Sequence, residues 1–97
     1  MLTGKQRAAL RRMANTMDAI IQIGKGGLSK ESFRTIDNAL EARELIKLRV
    51  LETSPCSSRE AADALSEELS CDVVSVTGTR FVLYRESKKK KRIELVK

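Results

Sequence analysis

The sequence predicts an α+β domain in which three helices pack on a four-stranded mixed sheet. Apolar residues recur at helical spacing in three segments and at strand spacing in four, in the order α-β-α-β-α-β-β. The chain has 97 residues and a hydrophobic content of 41%, which is enough for one modest core. We therefore expect a two-layer α/β sandwich over residues 1–87, with the helices mostly on one face of the sheet.

The first segment, residues 3–17, is predicted to be a basic helix. Leu10, Met13, Ala14 and Met17 recur at the spacing of one buried stripe, and no acidic residue precedes Asp18. Four cations lie off that stripe: Lys5, Arg7, Arg11 and Arg12. The absence of a compensating acid favours a polyanion-binding surface over an ordinary solvated face.

A glycine loop follows a short strand predicted over residues 19–23. The loop residues are Gly24, Lys25, Gly26 and Gly27. The next helix is predicted to begin after Ser29 as its N-cap, so backbone N–H groups and a helix N-terminus lie together where a phosphate can bind. Glycines let an RNA backbone approach closely, and similar G-x-x-G loops hold single-stranded nucleic acid. An ordinary strand-to-helix turn is the competing interpretation.

The clearest predicted strand, residues 45–51, follows a second helix that runs to about Arg43. Ile46 and Leu48 lie on one face of this strand, and Lys47 and Arg49 lie on the other. Two cations on one strand face repel each other unless an anion or solvent separates them. Both interpretations remain open for these two residues, a solvated face or an RNA contact.

A third helix and a hairpin complete the predicted fold. The helix has an acidic outer surface, formed by Glu60, Asp63, Glu67 and Glu68. The predicted hairpin pairs residues 73–76 with residues 81–85 around a turn that contains Gly78. The acidic surface should face away from any nucleic acid.

The basic charge of the chain is concentrated at its two ends, and the net charge is +6. The last ten residues, 88–97, are predicted to be a flexible basic tail, because a run of like charges repels itself. The run consists of Lys88, Lys89, Lys90, Lys91 and Arg92. Such a tail would attract a polyanion without adding structure.

The composition argues against several functional classes. The chain has no histidine, and its two cysteines, Cys56 and Cys71, lack metal-site spacing, so we expect free thiols and neither a metal nor a cofactor. Catalytic motifs are absent, so an enzyme is not expected. No apolar run is long enough for a membrane span, and the N-terminus does not resemble a secretory signal. We expect a cytoplasmic monomer.

Four segments in order resemble the CRM domain family (chloroplast RNA splicing and ribosome maturation), specifically its stand-alone bacterial YhbY-type members. The segments are residues 2–7, the glycine loop with Leu28, residues 39–48 with Glu-Leu-Ile-Lys-Leu, and residues 82–85. The resemblance covers Leu2 to Arg85. One departure is Arg43, where the family often has histidine.

The resemblance implies a fold similar to the C-terminal domain of bacterial initiation factor 3, and RNA binding in precursors of the large ribosomal subunit. The implied partner is ribosomal RNA, held through the glycine loop and the basic helix. An adaptor that binds ribosomal proteins through the acidic third helix is the alternative. A membrane-surface protein driven by the tail is a third class, against which the absence of a lipid-anchor motif argues.

Overall fold

The computed structural model describes residues 2–91 and 93–95, and it contains the predicted elements in the predicted order. The elements are α1 (Gly4–Ala14), β1 (Ile21–Ile23), α2 (Lys30–Arg43), β2 (Leu45–Val50), α3 (Ser58–Leu69), β3 (Asp72–Thr77) and β4 (Arg80–Tyr84). The strands form one sheet in the order β1-β2-β4-β3. Since β1 is parallel to β2 and the other pairs are antiparallel, the predicted four-stranded mixed sheet is confirmed.

Helices α2 and α3 cover one face of the sheet and form the main core. Leu40 of α2, Leu65 of α3 and Phe81 of β4 are almost completely buried there. Ile46 and Leu48 of β2 lie in the same core, as their strand spacing predicts. Burying side chains of this size stabilises the fold by roughly 1.5–3 kcal/mol each.

Helix α1 packs on the opposite face of the sheet, so helices occupy both faces. Leu10 and Ala14 of α1 form a second core with residues of the sheet, whereas Met13 of the predicted stripe is 46% exposed. The expectation of two layers holds for α2 and α3, whereas α1 adds a third layer over part of the sheet. The reason is that β2 and β4 carry apolar residues at both strand parities, which leaves two faces to bury.

Side-chain caps fix where the helices begin. Thr3 accepts a hydrogen bond from the backbone N–H of Gln6, and the Gln6 side chain accepts one from the N–H of Thr3. Ser57 and Glu60 make the same reciprocal pair at the start of α3. Each box satisfies two helix-terminal donors, and one such cap contributes about 1 kcal/mol.

The basic tail contacts the folded domain in its described residues. The Glu41 carboxylate accepts hydrogen bonds from the Ser87 hydroxyl and from the backbone N–H groups of Lys88 and Lys89. The side chains of Ile93 and Leu95 pack against the second core. The sequence predicts a flexible tail; the described tail residues form no helix or strand, and Glu41 and Glu44 supply acceptors for their backbone.

Glu41 should give the protein a measurable pH dependence of stability. Hydrogen bonds from the Ser87 hydroxyl and the Lys88 N–H lower its pKa from 4.5 to about 2. Because the pKa in the folded state lies below that of the unfolded state, the contribution of Glu41 to stability is complete above pH 4.5. It is lost as the pH falls towards 2.

We therefore expect the difference in unfolding midpoint between the parent and Glu41→Gln to shrink as the pH falls from 4.5 to 2. Thermal unfolding followed by circular dichroism measures this difference. A difference that stays constant over that range would mean that the Glu41 carboxylate does not hold the tail.

Both cysteines are free thiols, as predicted. Burial is the main cause that raises the pKa of Cys71, to about 11, so its thiol stays protonated at neutral pH. Within the described ranges, no helix combines the length and the apolar character needed to cross a bilayer.

Candidate nucleic-acid interface

Three connections meet at one edge of the sheet, which we call the glycine-loop edge. They are the glycine loop after β1, residues 51–57 after β2, and the turn between β3 and β4. The N–H of Leu51 donates to Ile23 O, and the N–H of Val50 donates to Thr79 O. These bonds tie the three connections together, so their positions are fixed relative to one another.

The glycine loop is a tight turn with its cation at the tip. The Gly27 N–H donates to Gly24 O at 2.9 Å, which closes the turn. Lys25 and Gly26 are exposed at its tip. The predicted loop thus exists, and its tip has the open approach that a phosphate requires.

The fold requires glycine at one position of the loop but not at the other two glycine positions. Gly27 has a φ of +62°, and a Cβ there would lie 2.9 Å from Pro55 Cγ, so the fold itself requires glycine. A Cβ on Gly26 would have no atom within 4 Å, and one on Gly24 would make an ordinary contact of 3.5 Å with Leu51. The fold therefore does not require glycine at Gly24 or Gly26, and at these two positions the missing side chain can instead allow an RNA backbone to approach.

The start of α2 is less available to an anion than the sequence suggests. The hydroxyl oxygen of Ser29 accepts a hydrogen bond from the Ser32 N–H, which confirms Ser29 as the N-cap. Glu31 lies in the first helical turn, where its negative charge already interacts favourably with the helix dipole. The hydroxyl of Ser29 therefore caps the helix, and Lys25 is the exposed cation of the loop.

Lys47 has a structural partner inside the protein. Its ammonium donates to Ala14 O at 3.2 Å and to Met17 O at 3.3 Å, at the C-terminal end of α1. A cation there complements the helix dipole and satisfies terminal carbonyls. The interpretation of Lys47 as a fully solvated side chain is therefore wrong, because its ammonium holds α1 against the sheet.

Arg49 lies on the exposed part of the same sheet face, opposite Arg80 of β4. The sequence pattern did not identify Arg80, because that residue reads as part of a turn. The signal that could have found it is its position four residues before Tyr84, which gives it the same strand parity as Val82 and Tyr84. The structure thus places Arg80 beside Arg49, which the sequence pattern identified as a candidate RNA contact.

The four cations of α1 are exposed but spread over the whole helix. Arg11 lines a cleft of about 250 Å³ together with Lys47 and Arg80. Arg7 instead lines a groove that also contains Asp63 and Asp72. Lys5 lies in the first turn of the helix, whereas Arg12 lies in its last turn with Arg11. Arg11 is therefore the α1 cation that joins the cations of the sheet.

The cations of the tail belong to the other end of the sheet. The tail backbone is held by Glu44, which directly precedes β2, whereas the glycine loop lies beside the end of β2. A six-residue strand such as β2 is about 20 Å long. Lys88, Lys89, Lys90 and Lys91 are exposed there, and Arg92 lies outside the described residues. The predicted basic surface is thus divided between two edges.

The acidic surface of α3 is partly occupied by contacts of its own. Glu60 takes part in the capping box, and hydrogen bonds from Ser57 lower its pKa. Asp63 pairs with Arg59 at 3.3 Å, in an exposed ion pair that contributes little to stability. Glu67 and Glu68 are the remaining exposed acids of the predicted surface.

A family model for the CRS1/YhbY (CRM) domain matches residues 2–85. The chain belongs to this family. The CRM domain is 44% identical over 95 residues to YqeI of Bacillus subtilis, named a probable RNA-binding protein, with 98% of this chain and 99% of YqeI covered. It is 30% identical over 90 residues to an RNA-binding protein of Haemophilus influenzae, with 93% and 91% covered.

A solved structure confirms the CRM fold. The solution structure of SAV1595 from Staphylococcus aureus, presented as a candidate RNA-binding protein, superposes with a TM-score of 0.81. The two proteins are 48% identical, and the match covers 99% of this chain and 100% of the other. The predicted family and fold class are therefore both confirmed.

Proposed function

We propose that this CRM domain is a non-enzymatic RNA-binding protein of the cytoplasm that acts on ribosomal RNA in precursors of the large ribosomal subunit. RNA binding is supported by the names of its relatives in Bacillus subtilis and Haemophilus influenzae. The ribosomal target follows from the resemblance to the YhbY-type proteins. Its glycine loop and its cations are the groups that would hold the RNA.

The single observation that carries the proposal is the exposed cation at the tip of the glycine loop. Lys25 has exposed Gly26 beside it, and the described residues provide no carboxylate within ion-pair distance. A phosphodiester can therefore reach both the Lys25 ammonium and the loop backbone. Contacts of this kind position RNA without reading its sequence.

Replacing Lys25 tests this role against a matched lysine on the same protein. We expect Lys25→Ala to lower the salt dependence of RNA binding by about 0.7 in the log–log slope, as the loss of one phosphate contact to a single strand does. Lys5→Ala should change the slope less, because Lys5 lies in the first turn of α1, at the end of that helix away from Lys47. Fluorescence anisotropy with protein-free RNA at several salt concentrations measures both.

The adaptor alternative makes the opposite prediction in the same assay. If α3 recruits a basic ribosomal protein and RNA is secondary, protein-free RNA binds weakly and the two lysine variants do not differ from the parent. Substitution of Glu67 and Glu68 would then remove the association with precursor particles. Crosslinking in cells, followed by sequencing of the attached RNA, tests the ribosomal target.

A further inference from the structure

A row of four polar side chains crosses the sheet beside the glycine loop. Strand register aligns Gln22 with Arg49, Arg49 with Arg80, and Arg80 with Thr77, so the row has one residue from each strand. Neighbouring strands lie about 4.8 Å apart. We call these four residues the arginine row.

The arginine row lies on the same sheet face as α1 but beyond the end of that helix. Arg49 shares its strand face with Lys47, whose ammonium reaches the last carbonyls of α1. Helix α1 ends at Ala14, and all four row residues are exposed. The row is therefore a part of the sheet face that the protein leaves uncovered.

The two arginines have no acidic partner among residues 2–91 and 93–95. Other arginines of the domain do: Arg85 pairs with Asp37 at 2.6 Å, and Arg59 pairs with Asp63. Like charges directly opposite on neighbouring strands destabilise a sheet. Arg11 and Lys47 add positive charge at the adjoining cleft, which the neutral Asn15, Ser75 and Thr77 also line. An anionic ligand would offset this repulsion.

The surroundings of the row fit a nucleotide chain better than an isolated anion. Gln22 lies two residues before Gly24, so the row begins beside the glycine loop. Ile20, which is 43% exposed, has the same strand parity as Gln22 and offers an apolar contact to a base or ribose. The cleft of about 250 Å³ between α1 and the sheet has room for a phosphate and a sugar. Guanidinium groups hold phosphate oxygens in a two-pronged geometry.

We propose that the arginine row binds the phosphodiester backbone of a single-stranded RNA segment, which passes from the glycine loop across the sheet to the last turn of α1. This inference rests on the proposed RNA-binding function and extends it to the sheet face. Arg49 and Arg80 are the binding groups, and Arg11 adds a positive charge on the α1 side of the cleft. Lys47 acts only by positioning α1.

The test compares the double variant Arg49→Gln/Arg80→Gln with the control Arg59→Gln, which removes one cation from the acidic surface of α3. The probe is a protein-free uridine oligonucleotide of about twelve nucleotides, within the usual range of single-strand sites. We expect the double variant to lose about tenfold in affinity or more, since hydrogen bonds to charged groups are lost. Its salt slope should fall by about 0.7 for each phosphate contact removed. The control should bind like the parent.

Stability separates this role from a merely structural one. Because the two arginines repel each other, the unfolding midpoint of the double variant should equal or exceed that of the parent, while its RNA affinity falls. The variant Arg49→Lys/Arg80→Lys keeps both charges and should recover the salt slope with only part of the affinity, because it lacks the planar donor geometry.

Three outcomes would contradict the inference, and they distinguish its failure from a failure of the proposed function. If the double variant binds RNA like the control while a Gly26→Glu variant does not, the arginine row is not a binding surface and the proposed function stands. If the parent itself does not bind RNA, the proposed function fails first. If the double variant loses affinity for anionic phospholipid vesicles but not for RNA, the row serves a membrane surface and the inference is overturned.

Discussion

Gly26→Glu is expected to lower RNA affinity by about a hundredfold, since a like charge placed against a phosphate costs several kcal/mol. Gly26 is exposed at the tip of the glycine loop, next to Lys25. The new carboxylate would neutralise that lysine and repel the RNA backbone. Binding of a labelled oligonucleotide at fixed salt measures the loss.

The fold should survive this change. A Cβ at Gly26 meets no atom within 4 Å, and its φ lies outside the left-handed region, so stability should shift by no more than about 0.5 kcal/mol. Gly26→Ala is the matched control and should bind RNA far better than Gly26→Glu. A folded Gly26→Glu protein with the affinity of the parent would exclude the glycine loop from the interface.

Gly27 is unsuitable for that experiment. Its φ is +62°, and a Cβ at this position would lie only 2.9 Å from Pro55 Cγ, so any side chain there strains the loop. A loss of RNA binding in a Gly27 variant would therefore not distinguish a blocked interface from a distorted one.

Glu44→Ala is expected to lower the free energy of unfolding by about 3–5 kcal/mol. Glu44 is completely buried, and its two carboxylate oxygens accept hydrogen bonds at 2.7 Å from the backbone N–H groups of Ser87 and Ile93. Alanine would leave both donors without this acceptor and release the tail from the end of α2. Chemical denaturation followed by circular dichroism measures the loss.

The backbone conformation at Glu44 allows a second comparison, between the stabilities of a glycine and an alanine variant. Its φ of +65° is one that only glycine adopts without strain. Glu44→Gly should therefore be less destabilising than Glu44→Ala by about 1 kcal/mol, although both lack the carboxylate. Since Glu44 lies at the edge away from the glycine loop, both variants should keep the RNA affinity of the parent while they are folded. An alanine variant as stable as the parent would contradict the proposed anchoring role.

The sequence predicts the elements well because their signals are local. The stripe with Phe33, Ile36 and Leu40 identifies α2, and the alternation of Ile46, Lys47 and Leu48 identifies β2. The observed bounds differ from the predicted ones by a few residues: α1 ends at Ala14 rather than near residue 17, where the backbone leaves the helix.

The candidate site is less predictable because its geometry depends on distant residues. Nothing near Lys47 in the sequence indicates that its partners are Ala14 O and Met17 O. Arg80 meets Arg49 only because β4, and not β3, lies beside β2. A hairpin can join a sheet through either of its strands, and the local sequence does not decide which.

The location of α1 also determines when the cleft forms as the protein folds. The bonds from Lys47 to Ala14 O and Met17 O join residues 33 and 30 positions apart, and the rest of its docking surface comes from later strands. An 11-residue helix is marginal by itself, and contacts this far apart form slowly. Helix α1 is therefore synthesised first but cannot dock before the strands that contact it are in place. Arg11 faces Arg80 only after β4 has joined the sheet, so a nascent chain that lacks β4 does not carry the cleft.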